Sequence, residues 1–197
     1  MKCSLTLLLS FVLNLSFAQD STFLFTKDGF TDFVVTPVDG KNKSVLYNKA
    51  LDWISVTYKN PNVVIKAKIE NEYIRFEGSN NNMLCIKTLG IKNCELANYQ
   101  IEVSFKDGKY KFDLIEVKEY AKPSQYGSGG WNTVLLPTPE EVKIKPSIMD
   151  HYFNDEGEPR KLQRFYVENI PAEFNALNQS LRQFLLSDKI PSQQADW

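Results

Sequence analysis

The chain's single histidine, His151, stands in MDHYFNDEGE (149–158) with Asp150, Asp155, Glu156 and Glu158 close by. Imidazole beside carboxylates has the donor set for a divalent metal and the proton affinities for general acid–base work. His151 and Asp155 are four positions apart, so a continuous helix would bring them to one face. An EF-hand would need an ordered alternation of acids and a closing glutamate, and neither is present. Ser147 to Asp150 has instead the serine-to-acid spacing of a helix start, delimited by Pro146 and by Asn154 to Gly157. The expectation is a capped turn in which Asp150 caps, Phe153 packs and His151 is partly exposed.

Other residue types that could do chemistry fare no better. A nucleophilic triad has only His151 as a histidine base, and no serine lies in a GxSxG setting. YGSGGW (126–131) lacks the GK[ST] of a phosphate loop, and the following Trp131-Asn132-Thr133-Val134 does not open a helix as a dinucleotide fingerprint requires. Glu102 and Asp113 fall on neighbouring strands and could face outward together as a carboxylate pair. Strand acids among Lys66, Lys68, Lys109 and Lys111 are more simply read as cross-strand ion pairs. The expected catalytic, metal and cofactor complement is therefore none.

The N-terminus has its own logic. A positive Met1–Lys2 end, an apolar run from Leu5 to Leu15, and Ser16-Phe17-Ala18 have the anatomy of a secretory signal peptide over residues 1–18. The apolar run is shorter than the ~20 residues of a spanning helix, so the expected mature chain begins at Gln19 as one domain over 19–197, periplasmic or secreted. Cleavage would remove Cys3 and leave Cys85 and Cys94. In an oxidising compartment the pair reads as a disulfide closing a short loop, against the alternative of two buried thiols. Two cysteines and one histidine without CxxC spacing do not make a zinc site.

The elements that would position these groups follow from periodicity. FTDFVVTPV (30–38) is β-branched and aromatic and ends at Asp39-Gly40. KSVLYNKALDWISVTYK (43–59) puts Leu46, Ala50, Trp53, Ile54 and Thr57 on one helical face, with Asn42 or Ser44 to cap it and Asn60-Pro61 to stop it. NVVIKAKIE (62–70) alternates with Val63, Ile65, Ala67 and Ile69 on one side, and EYIRFEG (72–78) returns with Ile74 and Phe76 inward. Asparagines 80–82 and 93 bracket an expected irregular stretch carrying both cysteines. NYQIEVSFKDGKYKFDLIEVKEY (98–120) is a hairpin about Asp107-Gly108, with a phase slip at Leu114-Ile115 that predicts a bulge. Thr138-Pro139-Glu140-Glu141 is a capping box. NIPAEFNALNQSLRQFLLSDK (169–189) reads as a helix entered at Pro171, with Phe174, Leu177, Leu181, Phe184 and Leu185 buried and a loose tail beyond Pro191. The result is an α+β fold, β-α-β4-α. A single antiparallel sheet has two main helices on one face, and a long irregular insertion precedes the last helix. The core covers about 28–120 and 169–189, and the insertion covers 121–168.

DGFTDFVV, SVLYNKALDWISVTY and the hairpin YQIEVSFKDGKYKFDLIEVKEY together resemble a bacterial family called domain of unknown function 4468. The likeness runs in order over about residues 28–120 and more loosely over the last helix. The resemblance implies an exported protein of Bacteroides-type bacteria with a fold like one half of the TATA-binding protein. It brings no catalytic residues. The cysteine-bearing stretch and residues 121–168 stand outside it as local elaborations.

With 43% hydrophobic and 24% charged residues and a formal net charge of -1, the composition is that of an ordinary globular domain. It offers no basic stripe for nucleic acid, which is not expected as a partner. The insertion carries Tyr126, Trp131, Leu135 and Leu136 among glycines and prolines, too apolar for a solvated linker. These four are the candidate partner-binding residues, expected on an ordered but locally mobile flap beside the sheet. The leading functional reading is a non-enzymatic envelope module for a protein, peptide or glycan. A helix-grip carrier of an apolar ligand comes second, since 13 Phe and 9 Tyr would line a cavity as well as a core. A hydrolase comes third.

Overall fold

The computed structural model describes residues 22–125 and 127–187. The signal-peptide reading over 1–18, the tail beyond Pro191 and Tyr126 lie outside the described residues.

Among the described residues, eight strands and four helices run in the order β1 (Phe25–Thr26), β2 (Gly29–Phe30), β3 (Phe33–Pro37), α1 (Lys43–Thr57), α2 (Pro61–Val64), β4 (Ile65–Ile69), β5 (Tyr73–Thr88), β6 (Ile91–Lys106), β7 (Lys109–Ala121), β8 (Gly130–Thr133), α3 (Pro139–Ile144) and α4 (Arg164–Leu186). A 3-10 turn spans Pro146–His151. The main sheet is antiparallel in the order β3-β7-β6-β5-β4, with β8 added against β7. The two long helices meet each other and pack on one face of the sheet. This is the α+β arrangement read from the sequence, enlarged by β8 and by the small β1–β2 hairpin.

Local signals act where they are written. The Asn42 side chain accepts from the Val45 N–H at 2.9 Å to start α1. The buried stripe of α1 is Leu46, Tyr47, Ala50, Trp53 and Ile54, so Tyr47 joins it, while Thr57 is exposed. Asp107-Gly108 turns the β6–β7 hairpin with Gly108 at φ 75°. The expected bulge lies across from Gln100 and Ile101, which face Glu116 and Leu114 and leave Ile115 as the extra residue. Between sheet and helices the space is filled by rings. Trp53 lies 5.7 Å from Phe76, Phe174 lies 5.6 Å from Tyr99, and Phe23 lies 6.0 Å from both Phe112 and Phe174. The Tyr99 ring crosses Gly78, where an added Cβ would meet it at 2.4 Å, so the strand needs glycine at that position.

Four expectations change. The stretch with both cysteines is not irregular. β5 and β6 are 16 residues each and pair from Tyr73↔Ser104 to Thr88↔Ile91. The asparagines sit where the register shifts between Asn80 and Leu84, so residues of poor strand propensity occupy a bulge rather than ending the strand. At β4 the predicted alternation fails: α2 is a single helical turn, Val63 and Ile69 are 66% and 48% exposed, and the register shifts between Ile65 and Ala67. The last helix begins at Arg164, with Pro171 inside it and buried. Packing outweighs local propensity here, because Val167 and Ile170 extend the apolar stripe one turn before the proline. The insertion is not a flap beside the sheet. It adds β8 to the sheet and buries Val134 and Met149 in the core.

Candidate functional site

The outer edge of β7 is shared by two partners. β3 takes Lys109 to Asp113 and β8 takes Lys118 to Ala121, with the Ile115 bulge between them. The ladder with β8 continues one step, as the Val134 N–H donates to the Val117 carbonyl at 2.8 Å. A tight turn brings the chain back to this edge through Gly129, at φ 72°. A Cβ there would meet the Ala121 carbonyl oxygen and the Pro123 nitrogen, each at 2.6 Å, so glycine is required.

On the helix-free face, register alone sets the neighbours. Glu77, Gln100 and Glu116 form one row, Asn98, Lys118 and Thr133 the next, and Tyr120 faces Trp131. Trp131 is 45% exposed, with its ring edge-to-face to Tyr120 at 5.3 Å. A hollow of about 170 Å³ lies between Trp131 and the side chains of Glu77, Asn98, Gln100, Glu116 and Lys118. The charges in it are matched: Glu77 with Lys66 at 3.4 Å and Glu116 with Lys118 at 2.8 Å. Thr133 Oγ1 also donates to Glu116 Oε1 at 3.1 Å. The Asn98 side-chain oxygen is buried and has no hydrogen-bond partner among the described residues.

Behind this edge, towards α4, a second cleft of about 440 Å³ is lined by Ile86, Glu119, Leu135, His151, Tyr152 and Tyr166, among others. The Tyr152 hydroxyl donates to the Leu135 carbonyl at 2.5 Å, and the Tyr166 hydroxyl donates to Glu119 Oε2 at 2.7 Å. Burial pushes the Tyr152 phenol up to about 12, with the Glu119 charge adding to it. Burial, then the bond to Glu119, raises Tyr166 as well. Both phenols stay protonated near neutral pH and serve as fixed donors.

The predicted site residues separate. Trp131 lies on the open face, while Leu135, 49% exposed, joins His151 in the rear cleft. Leu136 is half-buried against the core. Cys85 and Cys94 are register partners joined by a disulfide, with Cα atoms 4.0 Å apart. His151 is exposed, its ring edge-on to Tyr152 at 4.8 Å. The 3-10 turn ends at His151, and Phe153 then bridges to Pro159, so His151 and Asp155 do not share a helical face. Asp150 does not cap: Lys145 precedes the turn without a side-chain cap, and the Asp150 carbonyl accepts from Arg160 Nε at 2.7 Å. The acids after His151 form a turn in which Asn154 Oδ1 accepts from the Glu158 N–H and Lys27 Nζ donates to the Asp155 carbonyl. Among the described residues no group of three His, Cys, Asp or Glu side chains is placed to hold a metal ion. Glu102 and Asp113 do face each other in register, but Arg75 holds Glu102 at 2.8 Å and Lys111 pairs with Asp113.

Sequence reasoning missed Asn98, Gln100 and Tyr120. Counting outward from the Asp107-Gly108 turn, with the bulge at Ile115, would have aligned the first two with Lys118 and Glu116. Their neighbour Trp131 needed the unforeseen strand β8.

Residues 33–119 match the family model described as domain of unknown function (DUF4468) with TBP-like fold. Two solved structures share the fold. A DUF4468 family protein from Bacteroides ovatus ATCC 8483 is 13% identical with a TM-score of 0.56, over 84% of this chain and 91% of that one. A TBP-like protein from Parabacteroides distasonis ATCC 8503 is 9% identical with a TM-score of 0.52, over 80% and 92%. No curated protein matches the chain.

Proposed function

We propose that this chain, with its DUF4468-type, TBP-like domain, is an exported non-enzymatic binding module that meets an envelope partner through β8 and its flanks. The observation that carries the reading is Trp131, held 45% exposed on the open face by a strand paired to the sheet. A large aromatic ring fixed at a surface loses little conformational freedom on binding and supplies much contact area, as in interface hot spots. Leu135, 49% exposed around the same edge, extends the surface to the rear cleft.

Other features agree. A cross-strand disulfide suits an oxidising compartment. The strand carboxylates that could have served a glycosidase are held in ion pairs. The ring-filled interior favours a packed module over a helix-grip carrier, whose ligand would need the volume that Trp53, Phe76, Phe112 and Phe174 occupy. The fold's likeness to a DNA-binding protein carries no function with it, and the matched charges of the open face offer nothing to a phosphate backbone.

The test replaces residues 124–132 by a short Gly-Ser link and compares capture of partners from envelope extract. The expected result is a folded domain, since Val134 and Leu136 remain to pack, with capture lost. Undiminished capture would refute the reading. If the trimmed chain unfolds, Trp131→Ser in the full chain carries the same comparison.

A further inference from the structure

We propose that the hollow beside Trp131 is a subsite for an uncharged, hydroxyl-rich ligand, a sugar ring of a neutral glycan. The inference rests on the binding-module reading and names its ligand class.

Three features of the hollow select that chemistry. The first is the aromatic wall. Trp131, supported edge-to-face by Tyr120 at 5.3 Å, presents a flat apolar surface to solvent. The C–H face of a pyranose is apolar and flat, so it can cover such a ring without desolvating the sugar's hydroxyls. The second is charge. Glu77 and Glu116 are each neutralised by a lysine, at 3.4 and 2.8 Å. A charged ligand would have to break those pairs to gain a counter-ion, whereas a neutral one leaves them intact. The third is the unmet acceptor. The Asn98 side chain lines the hollow, and its oxygen is buried without a hydrogen-bond partner among the described residues. An orphaned acceptor disfavours the free state, and a turn of the Asn98 amide toward the hollow lets a ligand hydroxyl donate to it and removes that penalty. Gln100 beside it offers an amide, which can both donate and accept, as hydroxyls require. The hollow, about 170 Å³, suits one ring of an oligosaccharide lying across the sheet rather than a whole buried ligand.

Asn98 gives the proposal a signature that a structural role would not share. Asn98→Val removes the orphaned oxygen and places a β-branched residue in a strand, so it should raise the melting temperature. The same change should weaken sugar binding.

The experiment titrates the mature chain with maltohexaose, cellohexaose, mannohexaose and N-acetylchitohexaose, read by calorimetry and tryptophan fluorescence. The expected result is saturable binding of at least one of them. Binding should be insensitive to salt and weakened at least about tenfold in Trp131→Ala. Asn98→Val should bind more weakly while melting higher. The sugar assignment is overturned if none of the four binds, if binding fades with salt, or if Trp131→Ala or Asn98→Val binds as the parent does. If no sugar binds but Trp131→Ala still loses capture of an envelope protein, the sugar assignment fails and the binding module stands. If neither is observed, both fail.

Discussion

Replacing Asn178 with leucine should cost the domain about 2–4 kcal/mol, although leucine is the commoner residue on a buried helical stripe. Asn178 lies in α4 between Phe174 and Leu181 and is 6% exposed. Its side-chain oxygen accepts from the Tyr110 hydroxyl at 2.6 Å, and its Nδ2 donates to Thr36 Oγ1 at 3.1 Å. The network thus ties α4 to the edge strand β3 and to β7. Leucine would take the Asn178 amide from the Thr36 hydroxyl, 6% exposed, and leave it only Tyr110, at about 1–3 kcal/mol, and would weaken the Tyr110 contact by about 1 kcal/mol more. Tyr110 would keep its 3.1 Å bond to the Asn178 carbonyl, which survives the substitution and limits the loss. For a chain of this size the change corresponds to a fall in melting temperature on the order of 5–15 °C. Urea unfolding followed by circular dichroism, with the m-value unchanged, measures it directly. The triple change Thr36→Val, Tyr110→Phe and Asn178→Leu should recover most of the loss, because the one network atom it leaves, the Asn178 carbonyl, still accepts within helix α4. A leucine variant as stable as the parent would refute the argument, and so would a triple variant worse than the single one.

Three further outcomes follow from the same structure. Reduction of Cys85–Cys94, or the double change to alanine, should lower stability by roughly 2–3 kcal/mol, the loop-closure value for so short a loop; thiol labelling without reductant should modify neither residue. His151→Ala should shift stability by no more than about 0.5 kcal/mol, because the side chain is exposed and its ring meets only the edge of Tyr152. Asp32 is pushed above the usual carboxylate range by burial, with Glu140, Asp113 and Glu141 adding to it. The fold therefore favours its protonated form, and its ionisation subtracts from stability as pH rises through the raised value. Asp32→Asn should raise the melting temperature at pH 7 and leave it unchanged at pH 3, and the opposite ordering would show that the carboxylate is stabilised instead.

What could be read from the chain beforehand was written locally. The Asp107-Gly108 turn, the slip at Ile115, the Asn42 cap and the Thr138–Glu141 capping box depend on residues a few positions apart, and each is present. The misses have distant causes. Three asparagines argue against a strand, yet β5 runs through them because α4 packs on that arm and Asn80 Nδ2 donates to Glu173 Oε2 at 3.0 Å. At the tip of the arm Leu89 takes φ 50°, a conformation that leucine rarely signals in sequence. Pro171 marks a helix start by local rules, while the buried Val167 and Ile170 hold about two more turns ahead of it, from Arg164. Among the candidate site residues, Trp131 was recognisable as too apolar for a linker. Its neighbours Asn98 and Gln100 were not, since strand amides mean nothing until a partner strand fixes what they face.

The placement of Trp131 follows from how the edge of β7 is divided. Had β3 continued along all of β7, the insertion would have found no unpaired backbone to join, and its apolar residues would have needed cover elsewhere. Instead β3 pairs only as far as Asp113, and the Ile115 bulge just beyond shifts the alternation by one residue, from Tyr110, Phe112 and Leu114 inward to Val117 inward. Val117 then points into the core and Glu116, Lys118 and Tyr120 point to the open face. The released edge takes β8, so a strand with Trp131 opposite Tyr120 must present the indole on that same face. Three residues further on, and so on the opposite face, the Val134 N–H still bonds to Val117, and its side chain is 8% exposed in the core. The alternation that buries Val134 is thus the one that exposes Trp131. Because Ile115 is the unpaired extra residue, deleting it would let Glu116 follow Leu114 in regular alternation, remove the bulge and leave Tyr120 and Trp131 on the open face. The face that the insertion equips is therefore set by the pairing of β6 with β7 and not by the bulge.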